Sequence, residues 1–244
     1  DWVLRLAFVG FVVGTVLSIR LPSRVDSSIG EEEASVLPVT TGLGTSGGRT
    51  RVGPTVVRAL RGNAALRGFS GFLTLFLAFV LREHPVGGLS PVMSIAAVAV
   101  AAAAGSTGGT ALMSALRARH PDRLVLGCLL LATVSATIAA LVFGVVTVVL
   151  VALAAGLAQA LAKLCLDAVI QRDVPEAVRT SAFARSETLL QLAWVVGGGI
   201  GIMLPLIPRL GMGLAAAALL VALIAAARTT SRRPSGPAYP SRPP

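Results

Sequence analysis

Between Leu124 and Ala162 the chain carries no charged residue at all. A helix crosses about 30 Å of hydrocarbon with about 20 apolar residues, so this run is too long for a single crossing. A turn must divide it, and Phe143 with Gly144 marks the place. The run therefore predicts two spans, and the same length test finds five more. They cover Trp2 to Ile19, Ala64 to Leu81, Pro91 to Leu116, Ala182 to Leu206 and Leu210 to Ala227. Charged or proline-containing segments end them: Arg82, Glu83, His84 and Pro85 after the second, Arg117 to Arg123 after the third, and Pro205 with Pro208 between the last two. The expected fold is an all-α integral membrane protein with seven transmembrane helices.

Composition agrees, and it removes several function classes. Of 244 residues, 55% are hydrophobic and 13% charged, with a mean hydropathy of +0.82, outside the usual range of soluble domains. The net charge of +10 comes from arginines placed between apolar runs, and aromatic residues make up only 5%. That pattern argues against nucleic-acid binding. Cys128 and Cys165 each lie inside an apolar run, so neither a disulfide framework nor a zinc site has ligands to build with. They read as small core residues.

Arginine placement sets the orientation, because cations are retained in cytoplasmic loops. Putting the segment after the first span in the cytoplasm places seventeen arginines inside and leaves Arg5, Arg82 and Arg209 outside. The C-terminus is then cytoplasmic. The first span lacks the basic start and cleavage site of a signal peptide. It reads as the last helix of a missing N-terminal half, with the chain a fragment. Residues 1–20 are thus a transmembrane helix, 21–62 a largely disordered cytoplasmic linker, 63–228 a six-helix bundle and 229–244 a disordered cytoplasmic tail. The linker holds the acidic triplet Glu31 to Glu33. Its last part, with Val56, Val57 and Leu60 between arginines, predicts a short helix lying along the headgroups.

Catalytic motifs are weak or lacking. Gly42 to Gly47 formally matches a dinucleotide fingerprint, but a phosphate cradle needs a strand before it and a helix start after it. Here Gly48, Arg49 and Pro54 continue a loop. The sequence has no P-loop, H-E-x-x-H or G-x-S-x-G, and its two histidines, His84 and His120, fall in loops on opposite faces of the membrane. No enzyme, no metal and no cofactor is expected.

The informative polar residues lie in the fifth and sixth spans. Gln159, Lys163 and Asp167 follow i, i+4, i+8 and so share one helix face, and Lys163 is the only lysine. Counting from Arg172 at about 1.5 Å per residue puts Asp167 about 7 Å and Lys163 about 13 Å deep. Glu187 and Gln191 repeat the i, i+4 spacing, with Glu187 about 12 Å in from Arg179. An intramembrane charge costs about 2.5 to 3.5 kcal/mol on insertion scales, so these groups should face a partner or a wet cavity. Lys163, Asp167 and Glu187 are candidates either for a structural ion cluster or for proton coupling and gating. Gln159, Gln191 and Trp194 are candidates for cavity contacts. Gly197, Gly199 and Gly201 are candidates for close helix packing or pliability.

The layout resembles the C-terminal half of a major facilitator superfamily transporter, its last seven helices, helix six followed by helices seven to twelve. The stretch from Lys163 to Gly198, K-L-C-L-D-A-V-I-Q-R-D-V-P-E-A-V-R-T-S-A-F-A-R-S-E-T-L-L-Q-L-A-W-V-V-G-G, looks like the helix ten to eleven region of an uncharacterised actinobacterial group. Arg117, Arg119, Asp122 and Arg123 form a degenerate version of that superfamily's cytoplasmic loop motif. The resemblance implies two inverted three-helix repeats and a substrate cavity shared with the missing half. It also implies secondary active transport in the cell (plasma or inner) membrane, as proton-coupled export of a small organic molecule by alternating access, the fragment alone being inactive. The partners expected are the lipid bilayer, that missing half and a small-molecule substrate of unknown identity. The alternative is a non-transporting membrane scaffold or sensor.

Overall fold

The computed structural model describes residues 2–20, 53–116 and 121–231. The Glu31 to Glu33 triplet, the Gly42 to Gly47 segment, Arg117, Arg119 and His120, and the tail beyond residue 231 lie outside the described residues. Among the described residues the regular structure is seven α-helices: α1 (Trp2–Ile19), α2 (Pro54–Glu83), α3 (Pro91–Leu116), α4 (Pro121–Leu141), α5 (Val145–Asp173), α6 (Glu176–Met203) and α7 (Pro208–Ser231).

Proline opens four of these helices, where its missing N–H would be unpaired in any case and its fixed φ already suits the helix. The charge-free run breaks where expected, between Leu141 and Val145. There Thr147 accepts a hydrogen bond from the Gly144 N–H at 3.0 Å and donates one to the Gly144 carbonyl at 3.0 Å, closing the first turn of α5. Gly87 and Gly88 turn the chain between α2 and α3 with φ of 64° and 72°, values that glycine adopts without a Cβ penalty.

The start of α2 differs from the sequence expectation. Helix α2 starts at Pro54, so the segment expected along the headgroups is its first part, with Val56 2% and Leu60 5% exposed inside the core. Pro54 at the N-terminal position starts the helix before the apolar run begins. Of the seven expected spans, five (α2, α3, α4, α5 and α7) are long and apolar enough to cross a membrane. Helix α1 has the bounds expected of the first span, Trp2–Ile19, and holds the apolar stretch Phe8–Leu17. In α6 Arg179, Arg185, Glu187 and Gln191 dilute the apolar content.

Helix α2 forms the centre of the bundle, packing on α3, α4, α5, α6 and α7. Phe72 and Phe76 stack with ring centroids 4.9 Å apart, and Phe76, Leu77, Val80 and Leu81 are almost wholly buried. The outer surfaces of α4 and α7 keep large apolar side chains exposed, among them Val134, Ile138, Val221 and Ile224, as a lipid-facing surface requires. Cys128 and Cys165 are free and buried.

The most extensive helix pairs are α3 with α5, α2 with α6, and α4 with α7. Exchanging α2, α3 and α4 for α5, α6 and α7 turns the first pair into the second and leaves the third unchanged. Both exchanged pairs close on glycine. A methyl group at Gly71 would meet the Trp194 carbonyl and one at Gly197 the Gly68 carbonyl, while one at Gly105 would meet Leu153 and one at Gly156 Ala102. Lipid tails are as apolar as the side chains, so such backbone approach, rather than hydrophobic burial, drives helix association. Gly201 packs likewise on Phe72 and Phe76, but a Cβ at Gly199 would meet nothing within 4 Å. Gly199 therefore makes no close helix contact among the described residues.

Overpacking a filled contact costs about 1–3 kcal/mol. Gly197→Ala should lower the thermal midpoint of the folded monomer in detergent, followed by size-exclusion chromatography after heating, while Gly199→Ala should leave it unchanged. Equal midpoints for the two variants would remove the α2–α6 contact as a determinant of stability.

Candidate functional site

The polar stripe of α5 and that of α6 meet. Lys163 Nζ lies 2.7 Å from Asp167 Oδ1 on its own helix and 3.0 Å from Glu187 Oε2 on α6. The spacing of i and i+4 places the first pair one turn apart, and the second joins two helices. Both contacts are within the range of charge-assisted hydrogen bonds. The side chains of Lys163, Asp167 and Glu187 are 32%, 27% and 44% exposed, so the cluster sits at the edge of the bundle rather than sealed inside it.

The cluster continues onto α2. Gln191 Nε2 donates to Glu187 Oε1 at 3.4 Å, and Arg67 Nη2 donates to Gln191 Oε1 at 3.5 Å. Arg67 and Lys163 against Asp167 and Glu187 make a set with no net charge. That balance lowers the cost of holding four ionised groups among apolar helices. Gln159 does not join the ion pairs. Its Nε2 donates to Asn63 Oδ1 at 3.2 Å, one helical turn before Arg67, and Asn63 is fully buried.

Arg67 and Asn63 are the site residues that the sequence expectation missed. Arg67 falls inside the expected second span, where it served only to set the orientation, and it lies well inside α2. The i, i+4 spacing that singled out α5 and α6 also relates Asn63 to Arg67 and would have identified them. Near the start of α2, Arg58 Nη2 is 3.4 Å from Asp122 Oδ2, tying it to the start of α4. Asp122 thus serves as an ion-pair partner between helices.

A cavity of about 400 Å³ lies between α2, α3 and α5, with Arg67, Ser70, Thr74, Ser106 and Gln159 among its lining residues. A second of about 450 Å³, between α2, α6 and α7, is almost entirely apolar. Trp194 lines neither cavity; it is half-buried, and its backbone packs on Gly71. Among the described residues no group of three or more His, Cys, Asp or Glu is placed to hold a metal ion.

Helices of this length and apolarity, with charges balanced inside the bundle, define a multi-pass helical membrane protein. The chain is 32% identical over 204 residues to an uncharacterized protein of Mycobacterium leprae, covering 79% of this chain and 35% of the relative. It is 38% identical over 209 residues to an uncharacterized protein of Mycobacterium tuberculosis, covering 79% of this chain and 36% of that one. The chain thus spans about a third of the length of the curated relatives it matches. No family model matches it.

Replacing one partner of an ion cluster strands the others. Lys163→Met leaves Asp167 and Glu187 without their shared cation and should cost about 1–3 kcal/mol, towards the lower end because water reaches these side chains. The triple variant Lys163→Met, Asp167→Leu, Glu187→Leu should recover most of that loss. Thermal unfolding in nanodiscs measures both, and a triple variant as unstable as the single one would show that stranded charge is not the cause.

Proposed function

We propose that the protein is a secondary active transporter of the major facilitator type in the cell membrane, exporting a small organic molecule in exchange for protons. In this reading α2 to α7 form one of two halves, and the exchange relation between their helix pairs is the packing of two three-helix repeats. An odd number of helices per repeat gives the second repeat the opposite orientation, the arrangement on which alternating access relies. The greater length of the mycobacterial relatives accommodates a second half.

One observation carries the reading: a single ammonium, Lys163, bonded at once to carboxylates on two different helices at a half-exposed face. Intramembrane ionisable groups of this kind mark ion or proton paths. Glu187 is the more exposed of the two carboxylates and the one that crosses between helices. A proton on Glu187 removes the charge that Lys163 holds and leaves Lys163 paired with Asp167 within α5 alone. Protonation thereby loosens α6 from α5, while the pair within α5 persists. The two carboxylates have separate tasks: Asp167 retains the cation and Glu187 releases it.

The test uses the full-length protein in proteoliposomes with an imposed pH gradient. Release of the gradient by a panel of small organic cations and anions is followed with a pH-sensitive dye. Asp167→Asn and Glu187→Gln should each slow gradient-driven flux at least tenfold. Unchanged flux in both variants would end the proton-coupling role. No gradient release by any compound, with only stability altered in the variants, would favour the scaffold reading.

A further inference from the structure

The cavity between α2, α3 and α5 has unlike ends. Arg67, Ser70, Ser106 and Gln159 line one, and Leu77, Leu81 and Ile95 line the other. From Arg67 to Leu81 it follows α2 for about 21 Å at 1.5 Å per residue.

At the polar end the hydrogen bonding is incomplete. Among the lining residues Arg67 Nε is a buried donor and Gln159 Oε1 a buried acceptor without a partner, and Asn63 Nδ2, behind Gln159, is a further unpartnered donor. Arg67 forms no ion pair among the described residues, and its bond to Gln191 is long at 3.5 Å. Lys163, by contrast, is held by two carboxylates. A guanidinium with an unused N–H beside an apolar channel is complementary to an anionic head on an apolar chain. No acidic side chain lines this cavity.

We infer that this cavity binds an organic anion of the fatty-acid class, its carboxylate on Arg67 and its alkyl chain along α2 towards Leu81. The inference rests on the transport reading and names its substrate class. A phospholipid shares the chemistry of an anionic head and an alkyl chain. The displacement experiment below distinguishes a free carboxylate from a phospholipid.

The test is equilibrium binding of radiolabelled myristate to the full-length protein in nanodiscs of zwitterionic lipid, with empty nanodiscs subtracted. Saturable binding is expected, displaced by unlabelled myristate but neither by tetradecanol nor by added phosphatidylglycerol. Arg67→Gln should weaken it at least tenfold and Arg67→Lys less. Ala99→Phe, at an exposed position on the channel wall, should also weaken it and does not depend on Arg67 for folding. Unchanged affinity in Arg67→Gln and Ala99→Phe, or equal displacement by tetradecanol or by phosphatidylglycerol, would overturn the assignment. No gradient is applied, so a failure here leaves the flux result on Asp167 and Glu187 standing, and the reverse also holds.

Discussion

Two glycine contacts determine where everything else in the bundle can lie. In water, apolar helices associate because burial removes their surface from solvent; in lipid that gain is missing, and close approach must supply the attraction. Gly68, Gly71 and Gly197 let α2 and α6 touch backbone to backbone, and Gly105, Gly109 and Gly156 do the same for α3 and α5. Side chains on the flanks of these seams then have fixed neighbours. Gln191 precedes Gly197 on α6, and Arg67 immediately precedes Gly68 on α2, so the α2–α6 seam brings Arg67 to Gln191. Gln159 follows Gly156 by three residues and meets Asn63 as α5 packs on α2.

The charges follow from that packing, and they are consistent with it. Four ionised side chains on three helices cancel, Lys163 bonded directly to Asp167 and Glu187, and Glu187 joined to Arg67 by way of the neutral Gln191. An isolated lysine at this depth would be costly; one held by two carboxylates is tolerated because its field is neutralised locally. The dilution that keeps α6 from qualifying as an apolar span has the same origin. Its Glu187 and Gln191 are accommodated by partners on α5 and α2 rather than by the helix's own hydropathy.

Helix number and the break in the long apolar run were legible because length and charge are local properties. Pro91 and Leu116 bound α3 as the composition implied, and Thr147 beside Gly144 supplied the start of α5. The stripes of α5 and α6 were legible for the same reason: i, i+4 spacing is fixed by helix geometry. What escaped was the start of α2. Hydropathy places a span where apolar residues begin, but a helix begins where its backbone can, at Pro54. Arg67 lay within the expected span, but its pairing across many residues with Gln191 left no local trace. Gly199 shows the converse. It sits in the same glycine run as Gly197 and Gly201, yet only the helix phase decides which glycines face a neighbour.

Arg67 is where the two parts of the molecule meet. Its Nη2 ends the chain of contacts that begins at Asp167, and its Nε lies unpaired at the polar end of the channel. Along that chain the links lengthen from 2.7 and 3.0 Å at Lys163 to 3.4 and 3.5 Å at Gln191. The 3.0 Å link holds α5 to α6, and the 3.5 Å link holds α6 to α2. A carboxylate bound at Arg67 would compete with a neutral amide for the same guanidinium, and charge favours the carboxylate. Ligand binding would therefore release Gln191, the only second partner that Glu187 has besides Lys163 among the contacts described. In the proposed reading, occupancy of the channel on α2 would reach Glu187 through one side chain, Gln191.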